Sequence, residues 1–529
     1  MTGGFLQLVS YGSQDFYLTG NPQISFFKTV YRRYTNFSMD FYQIRPEIDI
    51  GLSDNSTTDY TFNIDRNGDL ISNMYLVYKL PAIYSDNNTK FRWIKNVGTS
   101  AIEHISVHIG SAEIDKHYGE WFNIWHELTL TEAKKKVYNE LIGNVPEMYN
   151  PELSPRFTSY PNKPKTGKIP SIKERIIRVP LIFWFNKNPS LALPLVALQY
   201  YPVRIDVTFR RVVDLYTIID KYANGSIFGS RIIDKVKITE NGIVADKLNR
   251  NSYNLRIKAD SSTPDYDSYS GLQNFIKNEN IIRNLNSNTF LKLPIEPFLE
   301  VNYIFLDKEE MNKFAKSEHK YLIERVKQIQ FTNILESKTL NLKELNHPTS
   351  YMVITSKRSD VNERNDWNNY TNWITPGIPW NSYNEFFDPY FDDDNCKEVI
   401  GESNYDIKGK ENILKNLGLN LNGVQRFISN DETFYNSLQP YSFGINQPSK
   451  GILLYSFSLN PFEYQPSGSC NMSKFNKIDL LVETQNVPQN KNNTSEGVEN
   501  KYTYNINVYS VSYNILRITG GMGNLEFSN

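Results

Sequence analysis

Cysteine is nearly absent: Cys396 and Cys470 are the two thiols in 529 residues. That excludes the disulfide framework that staples small secreted domains, and a reducing compartment is the expected setting. An excess of charge of either sign is also missing, because 57 Lys and Arg meet 58 Asp and Glu for a net charge of -1. Such a chain has no long-range field to steer it toward DNA, RNA or an anionic membrane, so direct nucleic-acid binding is not expected as its task. Long apolar runs are lacking as well. The most apolar stretches, VPLIFWF (Val179–Phe185) and LALPLVAL (Leu191–Leu198), are broken by Pro and separated by Asn and Lys. Each falls far short of the ~20 residues that cross a bilayer as a helix. The opening MTGGFLQLVSYGSQDFYLTG has no basic segment, and Gln7, Ser10, Ser13 and Asp15 interrupt its apolar residues. No secretory signal is read there, and the chain is expected to stay in the cytosol.

Aromatic residues, by contrast, make up 14% of the chain, with 35 Tyr and 30 Phe. Many stand in short alternating runs, the period of a half-buried strand. A first set of candidate strands comprises NFSMDFYQI from Asn36, TDYTFNI from Thr58, NMYLVYKL from Asn73, EHISVHIGSAEI from Glu103, KERIIRVPLIFWF from Lys173 and VRIDVTFRRV from Val203. A second comprises FLEVNYIFL from Phe298, LIERVKQIQF from Leu322, SYMVITS from Ser350, ILLYSFSL from Ile452, KIDLLVE from Lys477 and TYNINVYSVSYNILRI from Thr503. Turn chemistry such as DRNGD (Asp65–Asp69) joins them. Short connections imply antiparallel sheets, hence an all-β chain of sandwich or jelly-roll type. At 61.5 kDa it exceeds what one core of ~250–300 residues accommodates, so two β domains in tandem are expected. Helices are few and short; the clearest starts where Asp307 and Glu310 stand at capping-box spacing. Asp360–Pro448 is long and polar, and is read as an exposed loop. Its acidic patch, Glu385, Asp388, Asp392, Asp393 and Asp394, has no EF-hand spacing and reads as solvated.

No constellation for chemistry emerges. His104 and His108 copy the i, i+4 spacing of a helical zinc site, but Ile105, Val107 and Ile109 make the segment a strand, with no Glu between them to act as base. His117 and His126 flank an aromatic stretch in which Trp121, Phe122 and Trp125 have helical spacing and are expected in the core. TGGMGN (Thr519–Asn524) lacks the Lys and the following helix of a phosphate loop, so its glycines are read as a tight turn. PSGSC (Pro466–Cys470) lacks the Gly-x-Ser-x-Gly of a nucleophile elbow and is read as a turn between strands. No catalytic, cofactor-binding or metal residue is assigned.

Several stretches in order carry a resemblance. They are ISFFKTVYRRYTNFSM (Ile24–Met39), IDRNGDLISNMYLVYKLP (Ile64–Pro81), IGSAEIDKHYGEWFNIWHEL (Ile109–Leu128) and RVPLIFWFNKNPSLALPLVALQYYPVRIDVTF (Arg178–Phe209). In the second half they are VNYIFLDKEEMNKFAKSEHKYLIERVKQ (Val301–Gln328), LLYSFSLNPFEYQPSGSCNMSK (Leu453–Lys474) and YNILRITGGMGNLEFS (Tyr513–Ser528). On these the chain resembles the major capsid proteins of nucleocytoplasmic large DNA viruses, mimivirus-like or algal in type. KELNHPTSYMV (Lys343–Val353) matches the family pattern only loosely, and the loop before Gln439 matches nothing in it.

The resemblance implies an all-β double jelly roll: two tandem eight-stranded antiparallel jelly rolls, with a few short helices and long loops. The implied division is an N-terminal base segment (Met1–Phe26), a first roll (Phe27–Tyr216), a second roll (Thr217–Tyr513) and a C-terminal segment (Asn514–Asn529). Within the second roll, about Asp360–Pro448 would form an exposed tower. It also implies a homotrimeric, pseudo-hexameric capsomer tiling an icosahedral shell, assembled in the host cytoplasm. The implied partners are neighbouring capsomers, minor capsid and penton proteins, and an inner viral membrane. Sequons at Asn87, Asn369 and Asn492 are candidate glycosylation sites. Two other classes stay open: a carbohydrate-binding or host-attachment protein using Trp367, Trp373 and Trp380 as sugar platforms, and a hydrolase built on the carboxylate-rich loops.

Overall fold

The computed structural model describes residues 2–53, 56–84, 89–149, 170–220, 227–229, 272, 276, 292–359, 361, 365, 367–373, 410–487 and 502–527. The first set of strands is β1 (Phe37–Ile44), β2 (Thr58–Ile64), β3 (Leu70–Leu80), β4 (Ile102–Ile109), β5 (Ala112–Tyr118), β6 (Arg175–Pro180), β7 (Val203–Phe209) and β8 (Phe298–Leu306). They pair in the orders β1-β8-β3-β6 and β2-β7-β4-β5. The second set is β9 (His319–Ile334), β10 (Lys338–Asn341), β11 (Pro348–Arg358), β12 (Leu414–Leu421), β13 (Val424–Asp431), β14 (Ile452–Ser456), β15 (Ile478–Thr484) and β16 (Tyr504–Thr519). Their orders are β9-β16-β11-β14 and β10-β15-β12-β13. Raising each number of the first pattern by eight gives the second. Both halves therefore have one topology, the eight-stranded jelly roll, and all these pairs are antiparallel.

Alternation makes these segments strands. In β2, Tyr60, Phe62 and Ile64 point inward while Asp59 and Asn63 face out. Two sequence expectations are corrected. FLEVNYIFL, grouped with the second β set and placed beyond a boundary at Thr217, is β8 of the first roll. It pairs with β1 from Phe37↔Leu306 to Ile44↔Leu299, and with β3 from Phe298↔Val77 to Ile304↔Leu70. The last strand of a jelly roll inserts between its first and third, so its partners are chosen by burial rather than by nearness in sequence. The helix Lys308–Lys316 then follows, with Asp307 at its N-cap but no side-chain capping bond. Second, the polar region Asp360–Pro448 is not simply a loop, because β12 and β13 form a hairpin within it. Asn422 and Gly423, at φ 50° and 83°, make its turn.

In the sheet β9-β16-β11-β14, the strands β16, β11 and β14 are buried on both faces. Along β11, Met352 and Ile354 enter the core of the second roll, while Tyr351 and Val353 join the core of the first. β14 divides likewise, with Leu453 and Tyr455 inward and Ile452 and Leu454 toward the first roll. On β16, Ile506 and Val508 face inward, and Tyr509 and Val511 face the other roll. Tyr509 meets Trp121 of the helix Gly119–Thr129 at 5.4 Å between ring centroids. That helix also supplies the central polar contact. Glu120 accepts from Thr355 Oγ1 at 3.0 Å and Asn507 Nδ2 at 3.1 Å, and pairs with Lys357 Nζ at 3.2 Å. The ion pair is nearly dry, with side chains 12% and 11% exposed, so its charges are stable only together.

Another buried acid sits in the second roll. Glu432 accepts from the Gly451 amide at 2.9 Å, while its other oxygen has no hydrogen-bond partner among the described residues. Burial, with a smaller push from Asp431, raises its pKa from 4.5 to about 7.

Two outcomes are expected. Replacing Glu120 with Ala strands Lys357 in the seam and should cost ~3–5 kcal/mol by urea titration, with Glu120→Gln milder because it keeps the hydrogen-bond acceptor. Neutral Glu432 contributes stability that is complete below pH 4.5 and is lost as pH rises through about 7. Glu432→Gln should therefore flatten that window and exceed the parent, by on the order of 3 kcal/mol, near pH 8.

Candidate assembly surfaces

The N-terminal segment has the composition of a core but buries nothing. Its helices, Gly3–Val9 and Phe16–Thr19, contain no buried residue. Tyr17, Leu18, Phe26 and Phe27 are 87–99% exposed, and Val30, Tyr31 and Tyr34 are nearly as open. The segment continues into β1, which among the described residues pairs only with β8 and whose residues are all exposed except Ile44. Phe37, Met39 and Phe41 line one face of that edge strand. Monomers seldom expose so much contiguous apolar surface, and an unpaired edge beside it is a template for another chain. Among the described residues, this arm and edge form the clearest contact surface. Sequence reading placed a contact at Met1–Phe26 from family likeness; the apolar stretch extends through Phe41.

The expected tower divides differently. Residues 374–409, with the acidic patch, Trp380 and Cys396, lie outside the described residues. The flanks are stitched to the first roll by asparagine amides. Asn365 Nδ2 donates to the carbonyls of Val213 (2.8 Å) and Tyr216 (2.9 Å), and Asn368 accepts from Asn123 (3.0 Å). Asn446 donates to the Leu130 carbonyl, and the Ser449 amide donates to Glu127 (2.8 Å). The polar composition there satisfies backbone groups rather than solvent. Trp367 is no sugar platform: its indole donates to the Asp214 carbonyl at 2.9 Å, and the Arg210 guanidinium covers its ring at 4.3 Å. Of Trp373 only the backbone, in a short strand, is described.

The remaining sequence candidates fall apart as a chemical site. Asn369 is 1% exposed and accepts from the Thr371 amide and hydroxyl at 3.1 and 2.8 Å, so the fold leaves no room for a glycan there. Asn87 and Asn492 lie outside the described residues. His104 and His108 do share strand β4, but each serves a different partner. His104 Nε2 lies 3.2 Å from Thr208 Oγ1, and burial lowers its pKa. His108 lies 3.3 Å from Asp206. His126 stacks on Tyr138 at 3.9 Å and donates from Nδ1 to the Phe122 carbonyl at 2.6 Å; burial lowers it to about 4. His117 pairs with Asp115 at 3.0 Å. Burial opposes ionisation of Asp115, but His117, Arg325 and Lys187 hold its pKa below the ordinary value. Cys470 pairs in register with Thr349, and burial raises its thiol, the reverse of an activated nucleophile. Gly520 and Gly521 make the turn Thr519↔Met522 at positive φ, as expected of a tight turn. Among the described residues, no group of three or more His, Cys, Asp or Glu is placed to hold a metal ion. No described helix is long and apolar enough to cross a membrane.

Comparison with known proteins agrees with this reading. The model for the major capsid protein N-terminus matches residues 25–234, and that for the large eukaryotic DNA virus major capsid protein matches residues 310–524. The major capsid protein of Phaeocystis pouchetii virus is 30% identical over 100% of both chains. Probable capsid protein 4 of Acanthamoeba polyphaga mimivirus is 30% identical, again over 100% of each. PBCV-1 VP54, in a crystal structure fitted into a reconstruction of the virophage Sputnik, superposes with a TM-score of 0.61 at 22% identity, covering 96% of this chain and 100% of that one. The PBCV-1 capsid model gives 0.60 at 24% identity with the same coverage. These two likenesses show the fold, a double jelly roll. With two family models in tandem and full-length relatives at 30% identity, the chain belongs to the major capsid proteins of large eukaryotic DNA viruses, structural proteins of the virion and not enzymes.

Proposed function

We propose that three copies of this capsid protein close into a capsomer whose six rolls form a nearly hexagonal tile, and that such tiles cover an icosahedral shell. The observation that carries this reading is the duplicated topology of two rolls joined by shared strands. Each chain presents two rolls of the same strand order, so a threefold operator yields six similar flanks from one sequence. A rigid seam suits that role, because tiles that flexed between their rolls would lose the register of their neighbours. The near-zero net charge lets copies crowd without strong repulsion. Assembly takes place in the host cytoplasm, and enclosing the genome involves no chemical step.

The exposed N-terminal arm is assigned to the base of the tile. There its aromatic and aliphatic residues meet minor capsid and penton proteins and the neighbourhood of an inner membrane. Apolar side chains that find no partner in their own chain gain by burial against another, at roughly 25 cal/mol per Å².

Light scattering of the purified protein should give a mass near three chains, with roughly hexagonal outlines in electron micrographs of the same peak. A stable monomer at high concentration, with no assembly on adding partners, would count against the capsomer. Deleting residues 1–26 should shift Tm by less than ~2 °C, because no described residue there is buried, yet abolish incorporation into particles. Normal incorporation of the truncated chain would remove the arm from assembly.

A further inference from the structure

The seam between the rolls is apolar and tightly joined along β11 and β16, and a recess interrupts it beside them. There a cavity of about 300 Å³ lies between β5 of the first roll and β9 of the second. Lys116 lines it from β5; Arg325 and Lys327 line it from β9; Thr349, Ser510 and Ser512 add hydroxyls to its wall, those of Thr349 and Ser510 lying 3.1 Å apart. Glu113 is the one carboxylate among the lining residues, so three basic side chains outnumber it by two.

Arg325 acts on Asp115 only at a distance, and neither it nor Lys116 has a direct ion-pair partner among the described residues. Among the described residues, no carboxylate comes within 4.0 Å of Lys116 or Arg325. Lys116 has only the Tyr118 ring, at 5.8 Å, and Arg325 Nε is buried without a hydrogen-bond partner. Asp115 behind β5 is already engaged by His117 at 3.0 Å and accepts from the Val326 amide at 3.4 Å. Lys327 reaches the Glu344 carbonyl. Elsewhere in the same seam the chain matches its charges: Glu120 meets Lys357 at 3.2 Å, and Lys187 meets Glu324 at 3.0 Å. A buried guanidinium N–H left unpaired is costly, and cations converging on a low-dielectric recess concentrate positive potential there.

We infer that this recess is an anion site, and that its ligand is a small polyoxyanion of the phosphate class, bound across the two rolls. Several acceptor oxygens on one ligand can take the Arg325 Nε–H, the Lys116 ammonium and a hydroxyl hydrogen of the wall together, which a monatomic anion cannot do. The volume exceeds that of a single phosphate and suits a diphosphate-sized group. Because Lys116 belongs to one roll and Arg325 to the other, such a ligand acts as a clip on the seam. It binds the folded pair of rolls and not the unfolded chain, so it stabilises by mass action.

Inorganic diphosphate is the probe, added to the purified full chain in its native oligomer, with sodium chloride at matched ionic strength as control. Calorimetry should show a saturable site, with a Tm rise on the order of 3 °C at saturation that the chloride control lacks. Lys116→Met, which breaks no ion pair, should weaken binding about tenfold, and Arg325→Lys, which keeps the charge but removes the Nε donor, should weaken it by a similar factor. Affinity unchanged in the folded Lys116→Met and Arg325→Lys variants would overturn the site, as would a Tm rise matched by chloride. Citrate, a carboxylate polyanion of similar size, tests the class: equal affinity for citrate would overturn the assignment to phosphate chemistry.

Discussion

One sheet bears apolar side chains on both faces, and the double architecture depends on it. Strands β9, β16, β11 and β14 close the core of the second roll with one set of residues and cover the first roll with the other. A strand in this position has no side that reaches water, so both sets of its side chains must be buried. SYMVIT and ILLYS accordingly read as nearly continuous apolar runs, and in INVYSVSYNI the polar Asn507, Ser510, Ser512 and Asn514 are buried with their apolar neighbours, whereas β2 keeps a clean alternation of buried and exposed residues. A one-residue slip in β11 would exchange Tyr351 and Val353 for Met352 and Ile354, altering both cores together. Register is thus specified twice over, and the two rolls form a single block.

Polar groups in the seam give that block its specificity. Apolar surface alone tolerates sliding; Glu120 does not, because it must meet Thr355, Asn507 and Lys357 simultaneously. The asparagines around residues 365–372 act in the same way on backbone carbonyls of the first roll. At the recess beside Lys116 and Arg325 no described carboxylate lies within ion-pair distance of either cation, in contrast to Glu120 and Lys357.

The division of apolar material follows from the same logic. Core residues of each roll are buried within the chain; the described apolar side chains of the N-terminal arm, and those of β1 except Ile44, stay open to solvent. A monomer that leaves Phe26, Phe27 and Tyr31 in water is incomplete by its own composition, which fits a family of proteins that build capsids. No catalytic constellation competes with that reading among the described residues, since His104, His108, His117 and His126 are each held by a separate structural partner.

Alternation and turn chemistry, being local, determined a good deal from sequence alone: the all-β class, most strands, the glycine turn at Gly520–Gly521, and the structural nature of the Cys470 segment. A further local signal was legible but passed over. Leu417, Leu419 and Leu421 alternate ahead of Asn422–Gly423, a strong hairpin signature, and they sit in a region whose overall polarity suggested a loop. Other features depend on partners far away in sequence, and only the tertiary structure decided them. Nothing in FLEVNYIFL states that it inserts between β1 and β3 rather than joining the strands that follow it. Nothing in NYT states that Asn369 is buried. Local conformation is set by each residue's own backbone and near neighbours, whereas strand partners, burial and unmatched charge are set by which distant surfaces meet when the two rolls close.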